Sequence, residues 1–468
     1  MWGIDRLSAG ELGNTRRRLR NCSVALLTQA SAVDRHGRPV LDVLEDLGVR
    51  PVRIFGGEHG FDGVAQAEEA VPTQAAPLDR RASAARTADV IAELERESLD
   101  AEEHESSPGE GSEAPPDAQL AFNLSSATQP SAAVASRALP RPAGPPQLIS
   151  LYGADRASLS PLPEHLAGVD VLLIDLMDVG SRYYTFVWTA LLAARAAAKA
   201  GVHTLVLDRP NPISGDPNSI EGAPQAPGYT SFVGLESLPI RHAMTVGELL
   251  VHFMARDGHA LGPDGALSLV APRGWERLRT AHAWARPFVA PSPNMPSVET
   301  ALVYPGGCLV EGTNLSEGRG TTLPFQTVGA PFLDGAALAR SLVEARLPGL
   351  MARPQSFRPM FDKHSGQLCH GVVIHVTDPA SFRPVATYLT LLALARQQAP
   401  EAFAFRTHAY EFETEIPAFD LLTGSDAARK ALLAGTSAEA LVELIAPAGE
   451  EWLEQLRAIE GLVARAHA

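Results

Sequence analysis

Residues 171–184 read VLLIDLMDVGSRYY, an uninterrupted run of branched apolar side chains that then turns polar. The same change occurs where residues 52–55 precede Gly-Gly-Glu-His-Gly at 56–60, and where residues 204–207 precede Asp-Arg-Pro-Asn-Pro at 208–212. Continuous apolar runs of this length are typical of strands buried on both faces, as in parallel sheets. Because parallel strands end at one edge of a sheet, the three polar clusters are predicted to open into a single crevice.

The first half of the chain alternates short apolar runs with segments of helical spacing, which is typical of a doubly wound α/β fold. The predicted strands are residues 23–29, 52–55, 147–151, 169–174 and 203–207, and the predicted helices are residues 39–47, 162–166 and 185–199. Thr185 is the predicted N-cap of the last helix. We therefore predict a Rossmann-like catalytic domain with a doubly wound parallel sheet over residues 1–235.

From about residue 236 the pattern changes to long loops rich in Gly, Pro and Asn. Thr245, with Glu248 three residues later, forms a capping-box signature and predicts a helix over residues 245–254. Further predicted elements are strands 371–376 and 403–406, helices 427–434 and 450–464, and loops 291–296, 304–307 and 311–325. We predict a smaller α+β C-terminal domain over residues 236–468 that completes the cleft.

Residues 73–147 interrupt the series of strands and helices with a stretch rich in Ala, Pro, Ser and Glu. Within it, residues 93–117 contain ten acidic side chains and one basic side chain. Such a composition buries too little apolar surface to offset the loss of chain entropy on folding. It predicts a disordered acidic insertion, and a regulatory or docking segment is the alternative.

Composition and charge exclude several classes of protein. The chain has 468 residues and a formal net charge of −15, which argues against nucleic-acid binding because that function needs a basic face. The three cysteines, Cys22, Cys308 and Cys369, fit neither a disulfide framework nor a zinc site, so no metal is predicted. No apolar run approaches the roughly 18 residues of a membrane helix, and no signal-peptide pattern is visible. These observations predict a cytoplasmic protein that does not bind a membrane.

Glu58 and His59 follow the predicted strand 52–55 in a turn flanked by glycines, which allow a ligand to approach the backbone closely. A glutamate partly removed from water can have a raised pKa and serve as a general acid. The alternative is a carboxylate that caps a turn, and the spacing favours neither interpretation. The glycine spacing differs from G-x-G-x-x-G, so the dinucleotide-binding fingerprint is absent.

Residues 175–184 place two carboxylates, one guanidinium and two phenols within ten positions. Tyrosine rings such as Tyr183 and Tyr184 can stack on a sugar, and Arg182 can hold a carboxylate through two parallel hydrogen bonds. Asp178 is a further candidate for catalysis. The alternative is a salt bridge between an aspartate and the arginine, beside buried tyrosines.

Asp208, Arg209 and Asn211 follow the predicted strand 203–207 and form a second group of candidate binding residues. The two prolines between and after them hold the backbone extended, so the side chains are presented to a ligand instead of entering a helix. The alternative is a rigid exit from the strand with no binding role.

The densest polar stretch is EGTNLSEGRGTT at residues 311–322, which favours neither helix nor strand. Loops so rich in hydrogen-bonding groups usually bind a ligand, and a merely solvated loop is the alternative. The candidate binding residues in this stretch are Glu311, Asn314, Ser316, Glu317 and Arg319.

Together these motifs resemble the exo-β-N-acetylmuramidase family of the NamZ type. The matching stretches are EHGF at 58–61, SLYG at 150–153, DVG at 178–180, DRPNP at 208–212, SFVG at 231–234, PSPNMP at 291–296 and the long block 311–324. The resemblance covers nearly the whole chain except residues 73–147. It implies a Rossmann-like domain and a C-terminal domain with the site between them, and it adds Asn294 to the binding residues. The family usually has Gly at the position of Ala243.

The resemblance implies an exo-acting glycoside hydrolase that releases N-acetylmuramic acid from the non-reducing end of peptidoglycan fragments. Such a reaction needs an acid at the leaving oxygen and a second carboxylate or neighbouring group at the anomeric carbon. Glu58, His59 and Asp178 are the catalytic candidates. The arginines available for the lactyl carboxylate of the sugar are Arg182, Arg209 and Arg319. The implied partner is a small carbohydrate, either a muropeptide or the disaccharide MurNAc–GlcNAc, and no cofactor is implied.

Two other functions remain as alternatives. A non-catalytic protein that binds or senses muropeptides could use the same scaffold, and hydrolysis of a chromogenic N-acetylmuramic acid glycoside would distinguish it from an enzyme. A nucleotide-dependent Rossmann enzyme is disfavoured because the glycine fingerprint is missing. Members of the family are commonly exported, which contrasts with the cytoplasmic location predicted above.

Overall fold

A computed structural model of the chain describes residues 1–60, 65, 73, 145–446 and 449–467. The insertion predicted at residues 73–147 therefore lies almost wholly outside the described residues. Those described belong to one compact unit that comprises residues 1–75 and 144–468. Within this part of the chain, no helix is both long and apolar enough to cross a membrane.

The first layer is a six-stranded sheet with the strand order β3-β2-β1-β4-β5-β6. Its strands are β1 (Val24–Thr28), β2 (Arg53–Gly56), β3 (Gln147–Ser150), β4 (Val171–Asp175), β5 (His203–Leu207) and β6 (Leu267–Val270). All neighbouring strands run parallel, which confirms the predicted α/β class. The sequence predicts the first five strands but not β6, whose four residues read LSLV.

Both faces of the parallel sheet are covered, and its strands are therefore apolar at nearly every position. Successive side chains of a strand point to opposite faces. Leu26 and Leu173 pack with helices on one face, whereas Leu27 and Ile174 pack with helices on the other. The first face carries α1 (Gly3–Ser8), α2 (Gly13–Arg20) and α3 (Val40–Asp46), and the second carries α4 (Pro163–Leu166), α5 (Phe186–Lys199) and α6 (Val246–Arg256).

A smaller antiparallel sheet follows, with the strand order β7-β9-β8. Its strands are β7 (Thr327–Ala330), β8 (Leu350–Phe357) and β9 (Cys369–Val376). The helices of this part are α7 (Val298–Gly307), α8 (Gly335–Glu344), α9 (Pro384–Gln398), α10 (Ala418–Thr423), α11 (Ala427–Leu433), α12 (Ala438–Leu444) and α13 (Gly449–Ala466). The predicted α+β character and the predicted helices at 427–434 and 450–464 are confirmed.

Two predictions in this part are wrong. Residues 304–307 end helix α7 instead of forming a loop. Gly306 lets α7 approach the backbone of Pro384 so closely that a Cβ there would lie 2.1 Å from its carbonyl oxygen. Residues 403–406 form no strand, because their backbone makes an isolated bridge with an irregular loop instead of a ladder of strand hydrogen bonds. In that loop, the side chain of Asn314 forms hydrogen bonds with the backbone on either side of Phe403.

The parallel sheet extends past residue 235. Strand β6 pairs with β5, helix α6 packs against α5, and the C-terminal helix α13 packs against both α6 and β6. His467 also forms an isolated bridge with Leu269 in β6. The domain division at residue 235 stays a prediction, and the structure adds that the chain after this point returns to the parallel sheet.

Candidate active site

A buried cavity lies beyond the carboxyl ends of β2 and β4, at the edge where the sequence predicts a crevice. Glu58 and His59 follow β2, and Tyr183, Tyr184 and Thr185 follow β4. The later part of the chain contributes Ser292, Asn294, Met295, Tyr304, Glu311, Arg319, Phe325, Tyr410 and Glu411 to the same lining. Residues far apart in the sequence therefore build one site.

Glu58 lies in a tight turn and is 7% exposed. A Cβ at Gly57 would lie 3.4 Å from the ring of Phe186, an ordinary van der Waals contact, and His59 has a φ of 68°, a conformation that is uncommon outside glycine. The hydroxyl of Thr185 donates a 2.5 Å hydrogen bond to Oε2 of Glu58. The carboxyl group is therefore fixed at the cavity wall by a residue that follows the neighbouring strand β4.

His59 lines the cavity beside Glu58 and stabilises the turn. Its Nδ1 lies 2.8 Å from the carbonyl oxygen of Ala65, so this nitrogen carries the proton that is donated. Its ring packs edge-on against Phe186 at 6.2 Å between centroids.

Asp178 is buried next to the cavity but does not line it. Its Oδ2 accepts a 2.7 Å hydrogen bond from the N–H of Gly180, and its Oδ1 has no hydrogen-bond partner within the described chain. Burial raises the pKa of Asp178 to about 7. The nearby His242, whose Nε2 lies 3.8 Å from Oδ2, is neutral because burial lowers its pKa to about 3. A substantial fraction of Asp178 is therefore protonated at neutral pH.

Two of the three predicted lactyl-binding arginines lie away from the cavity. Arg182 is fully buried and donates to three backbone carbonyl groups. Arg209 forms a two-pronged pair with Asp175, at 2.5 Å from Nε and 2.9 Å from Nη2. An Asp–Arg salt bridge does form here, as the structural alternative predicts, but it joins the ends of β4 and β5.

Asp208 and Asn211 hold the beginning of helix α6. Asp208 accepts hydrogen bonds of 2.7 Å from the hydroxyl of Thr245 and 2.9 Å from the N–H of Gly247. Burial raises the pKa of Asp208 to about 7 although these bonds lower it. Asn211 donates to the carbonyl of Met244 at 2.9 Å. Neither side chain lines the cavity, so the interpretation as a rigid strand exit describes them better.

Four tyrosines line the cavity, and they are Tyr183, Tyr184, Tyr304 and Tyr410. Burial raises the pKa of each phenol well above its usual value. Each therefore stays protonated and can act as a hydrogen-bond donor over the whole neutral range. The rings of Tyr184 and Tyr304 also pack edge to face at 5.9 Å.

Arg319 is the predicted arginine that reaches the cavity. Its Nη2 donates a 2.6 Å hydrogen bond to Oε1 of Glu311, whose Oε2 accepts one of 2.7 Å from Tyr410. The guanidinium lies 5.0 Å from the ring centroid of Phe325. Burial would lower the pKa of Arg319, but the carboxylates of Glu311 and Glu317 raise it, so the group carries a fixed positive charge.

The remaining candidate residues of the predicted binding loop form ion pairs and hydrogen bonds within the protein, and these stabilise the loop. Glu317 is 1% exposed and lies between Lys363, at 2.8 Å, and Arg319, at 3.4 Å. Asn314 bonds the backbone near Phe403. Ser316 accepts a hydrogen bond from the N–H of Gly318 at 3.1 Å. The loop is thus largely buried and ordered by its own polar groups.

Sequence reasoning missed several cavity residues, of which Glu411 is the most important. This carboxylate is 7% exposed and accepts a 2.9 Å hydrogen bond from the hydroxyl of Tyr152. Its backbone has a φ of 47°. Glu411 belongs to an irregular segment without strand or helix periodicity, so its neighbours in the sequence do not mark it as a site residue. The sequence offered one indirect indication, because its hydrogen-bond partner Tyr152 lies in the SLYG stretch. Asn294 does line the cavity, as the resemblance implies.

Metal chemistry has no visible support in this part of the protein. Across residues 1–60, 65, 73, 145–446 and 449–467, no group of three or more His, Cys, Asp or Glu side chains is suited to hold a metal ion.

Comparison with known proteins gives the family. The description "Exo-beta-N-acetylmuramidase NamZ, N-terminal" matches residues 126–299, downstream of Glu58, and its C-terminal counterpart matches residues 302–459. The peptidoglycan β-N-acetylmuramidase NamZ of Bacillus subtilis (strain 168) is 43% identical over 293 residues, which are 63% of this chain and 67% of that protein.

Two crystal structures of DUF1343 family proteins from Bacteroides fragilis share the fold. Their TM-scores are 0.70 and 0.59, at 24% and 21% sequence identity, and each alignment covers 98% of this chain and 97% of the other. The fold, the motifs and the family matches agree, and the chain belongs to the NamZ family of exo-β-N-acetylmuramidases.

Proposed function

We propose that the protein is an exo-acting glycoside hydrolase that releases N-acetylmuramic acid from the non-reducing end of peptidoglycan fragments. Membership of the NamZ family supports this activity. The observation that carries it is that Glu58, Glu411 and Arg319, from three separate parts of the chain, line one buried cavity.

Glu58 is the proposed general acid and base. Its Oε2 is held by the hydroxyl of Thr185 at 2.5 Å, so the carboxyl group has a defined position in the wall. As the bond between the anomeric carbon and the leaving oxygen breaks, Glu58 gives its proton to that oxygen. It then takes a proton from the water molecule whose oxygen becomes bonded to the anomeric carbon.

Glu411 is the proposed second carboxylate, which stabilises positive charge at the anomeric carbon. Glu311 also lines the cavity, but Arg319 and Tyr410 each bond one of its oxygen atoms. Asp178 lies outside the lining, so any role in catalysis would be indirect, through the turn after β4.

Arg319 is the proposed ligand of the lactyl carboxylate, because it is the arginine of the three that lines the cavity. The protonated tyrosines and Asn294 are proposed to bind the hydroxyl and N-acetyl groups of the sugar. The lining combines residues from both sides of position 235, which supports the proposed division into a catalytic domain and a second domain that completes the cleft.

The test is hydrolysis of the disaccharide MurNAc–GlcNAc with chromatographic detection of free N-acetylmuramic acid. We expect Glu58→Gln to lower kcat by about 10²–10⁴-fold, the usual contribution of general acid–base catalysis, while the substrate still binds. Glu45→Gln, on the solvent side of α3 where its carboxylate is 59% exposed, is the matched control and should keep wild-type kcat. A wild-type protein that binds the disaccharide without cleaving it would instead support the non-catalytic alternative.

A further inference from the structure

Another pocket lies beyond the carboxyl ends of β5 and β6, at the same edge of the parallel sheet as the cavity. Its volume is about 400 Å³, which is within the usual range of small-molecule sites. Pro210, which follows β5, and residues 273–276, which follow β6, form part of its wall. Among the described residues, the pocket shares none of its lining with the cavity that contains Glu58. A ligand in this pocket is therefore recognised by a different set of side chains.

Three of the five tryptophans in the sequence line this pocket, namely Trp2, Trp275 and Trp284. The rings of Trp2 and Trp284 pack edge to face, with 4.9 Å between their centroids. Trp275 packs on Gly215, where a Cβ would lie 2.7 Å from the indole ring. Indoles held in this way offer a large apolar surface and lose little conformational entropy when a ligand binds. Their rings suit the apolar face of a sugar.

The charged side chains of the lining are four arginines and one glutamate, and they are Arg35, Arg273, Arg279, Arg286 and Glu276. Arg273 pairs with Glu11 at 2.5 Å, and Arg279 pairs with Glu276 at 2.7 Å. Arg35 is exposed, and within the described residues its side chain bonds His36 and no carboxylate. The pocket therefore keeps a local positive charge, although the whole chain has a net charge of −15. Such a lining favours an anion.

Arg286 is the buried cation of this lining, because its side chain is only 10% exposed. Its Nη2 donates to Asp5, and its guanidinium carbon lies 3.7 Å from the ring centroid of Trp2. Its Nη1 and the indole N–H groups of Trp275 and Trp284 are buried without a hydrogen-bond partner in the described part of the chain. A buried donor without an acceptor lowers stability. All three groups are donors, so the lining lacks acceptor oxygens, which an anionic sugar supplies.

Asp5 holds Arg286 and Arg35 next to each other. One of its carboxylate oxygens accepts from Arg286, and the other accepts a 2.8 Å hydrogen bond from the backbone N–H of Arg35. The side chain of Asp5 is 2% exposed, so this arrangement is fixed inside the protein. A carboxylate or phosphate at this end of the pocket can therefore bind two guanidinium groups, one buried and one exposed. Hydrogen bonds between charged groups are stronger than those between neutral groups.

We propose that this pocket binds a small anionic sugar, with the sugar ring against the tryptophans and the acid group on Arg286 and Arg35. The proposal goes beyond the hydrolysis proposed above, because it requires no residue of the cavity. It assigns a binding role only, and no bond of the ligand is broken in this pocket. A neutral sugar lacks the acid group, and a cationic ligand is repelled by the arginines.

Tryptophan fluorescence tests the proposal, since three of the five tryptophans line the pocket and none of the described residues that line the cavity is a tryptophan. The probes are N-acetylmuramic acid, which carries a carboxylate, and N-acetylglucosamine 6-phosphate, which carries a phosphate. Neutral N-acetylglucosamine is the reference. We expect a saturable change in emission with at least one anionic sugar, and binding about tenfold weaker or less for N-acetylglucosamine.

Two variants test the arginines. We expect Arg35→Ala and Arg286→Lys each to raise the Kd for the anionic sugar about tenfold. The first removes a guanidinium, and the second keeps a charge beside Asp5 but lacks Nη1. Arg50→Ala, at an arginine that is 59% exposed and lies outside the lining, is the matched control and should bind like wild type. Thermal unfolding of each variant shows whether the fold is intact.

Saturation by one anionic sugar and not by the other supports the proposal and identifies the acid group that the pocket takes. The proposal is overturned if neither anionic sugar changes the emission or if N-acetylglucosamine binds as tightly. It is also overturned if both arginine variants keep the wild-type Kd, because the signal then comes from another site such as the cavity. None of these measurements requires hydrolysis of MurNAc–GlcNAc, so a failure of the proposed function is distinguishable from a failure of this proposal.

Discussion

At the scale of single residues, the hydrogen-bond partners of three arginines determine which of them is available to bind the substrate. Arg182 and Arg209 donate to buried protein groups, whereas Arg319 lines the cavity with its guanidinium paired to Glu311. Withdrawing Arg209 to bind a ligand would leave the buried carboxylate of Asp175 unpaired, and withdrawing Arg182 would leave three carbonyl groups without their donor, so both changes destabilise the protein. A lactyl carboxylate in the cavity can instead bind Arg319 while that arginine stays paired with Glu311, so no contact of the protein core is broken.

We expect Arg319→Lys to weaken inhibition by free N-acetylmuramic acid about tenfold and to leave inhibition by N-acetylglucosamine nearly unchanged. Lysine keeps the charge but lacks the planar fork that binds a carboxylate through two hydrogen bonds. Competitive inhibition constants measure the effect, with Arg353→Lys on the exposed strand β8 as the control. Equal weakening for both sugars would exclude Arg319 as the lactyl ligand.

Asp178 should make the protein less stable as pH rises. Burial raises its pKa from 3.8 to about 7 in the folded state, so between these pH values the folded protein binds more protons than the unfolded chain. The free energy of unfolding then falls with rising pH. Asparagine lacks this titration and can still accept the hydrogen bond from Gly180.

We therefore expect the stability of Asp178→Asn relative to wild type to increase between about pH 4 and pH 7, by up to about 4 kcal/mol. Urea unfolding at several pH values measures the difference. Asp46→Asn, at a carboxylate that is 66% exposed, is the control and should show no comparable trend. A constant difference between Asp178→Asn and wild type over this range would contradict the titration.

At the scale of secondary-structure elements, two threonines show what local patterns predict. The capping box of α6 is confirmed, since Thr245 accepts from the N–H of Glu248 at 3.1 Å and Glu248 accepts from the N–H of Thr245 at 2.9 Å. Thr185 does occupy the N-cap position of α5, as predicted, but its side chain makes no capping hydrogen bond, because its hydroxyl bonds Glu58, 127 positions away in the chain. Capping boxes lie within four residues, whereas the second contact depends on strand pairing.

The strands show the same dependence on local pattern. The five predicted strands of the parallel sheet agree with the structure to within about two residues, because burial on both faces makes each a continuous apolar run. Strand β8 reads LMARPQSF and is mostly exposed, so its sequence lacks such a run and does not predict a strand. In the antiparallel sheet only β9, with GVVIHV, carries a recognisable signal.

At the scale of the whole molecule, residues 74–144 separate Thr73 from strand β3 in the chain, yet Thr73 lies in contact with the end of that strand. The N–H of Ser150 donates a 3.1 Å hydrogen bond to Oγ1 of Thr73, and β2 and β3 are adjacent. Because this contact is at the carboxyl end of β3, a linker has to run back along the four-residue strand, roughly 13 Å, to rejoin the chain before Gln147. We expect replacement of residues 76–144 by a Gly/Ser linker to leave Tm and turnover of MurNAc–GlcNAc nearly unchanged. A large loss of soluble protein or activity would show that the segment packs or binds.

The sequence by itself determined the parallel α/β sheet, the turn that carries Glu58, the polar loop with Arg319, and the family. Each of these depends on residues close together in the chain, namely apolar runs, glycine-flanked turns and short motifs. Ala243 is a further case, since the family usually has Gly there and the structure shows a φ of 60°, a backbone that favours glycine.

The tertiary structure alone decided which polar residues reach the cavity. Arg182 belongs to the same motif as the cavity residues Tyr183 and Tyr184, and Arg209 lies in the DRPNP motif, yet both arginines bond the protein itself. Glu411, in an irregular segment, joins Glu58 from a distant part of the chain. A side chain's burial and partners depend on contacts between remote segments, and these contacts leave no periodic signal in the sequence.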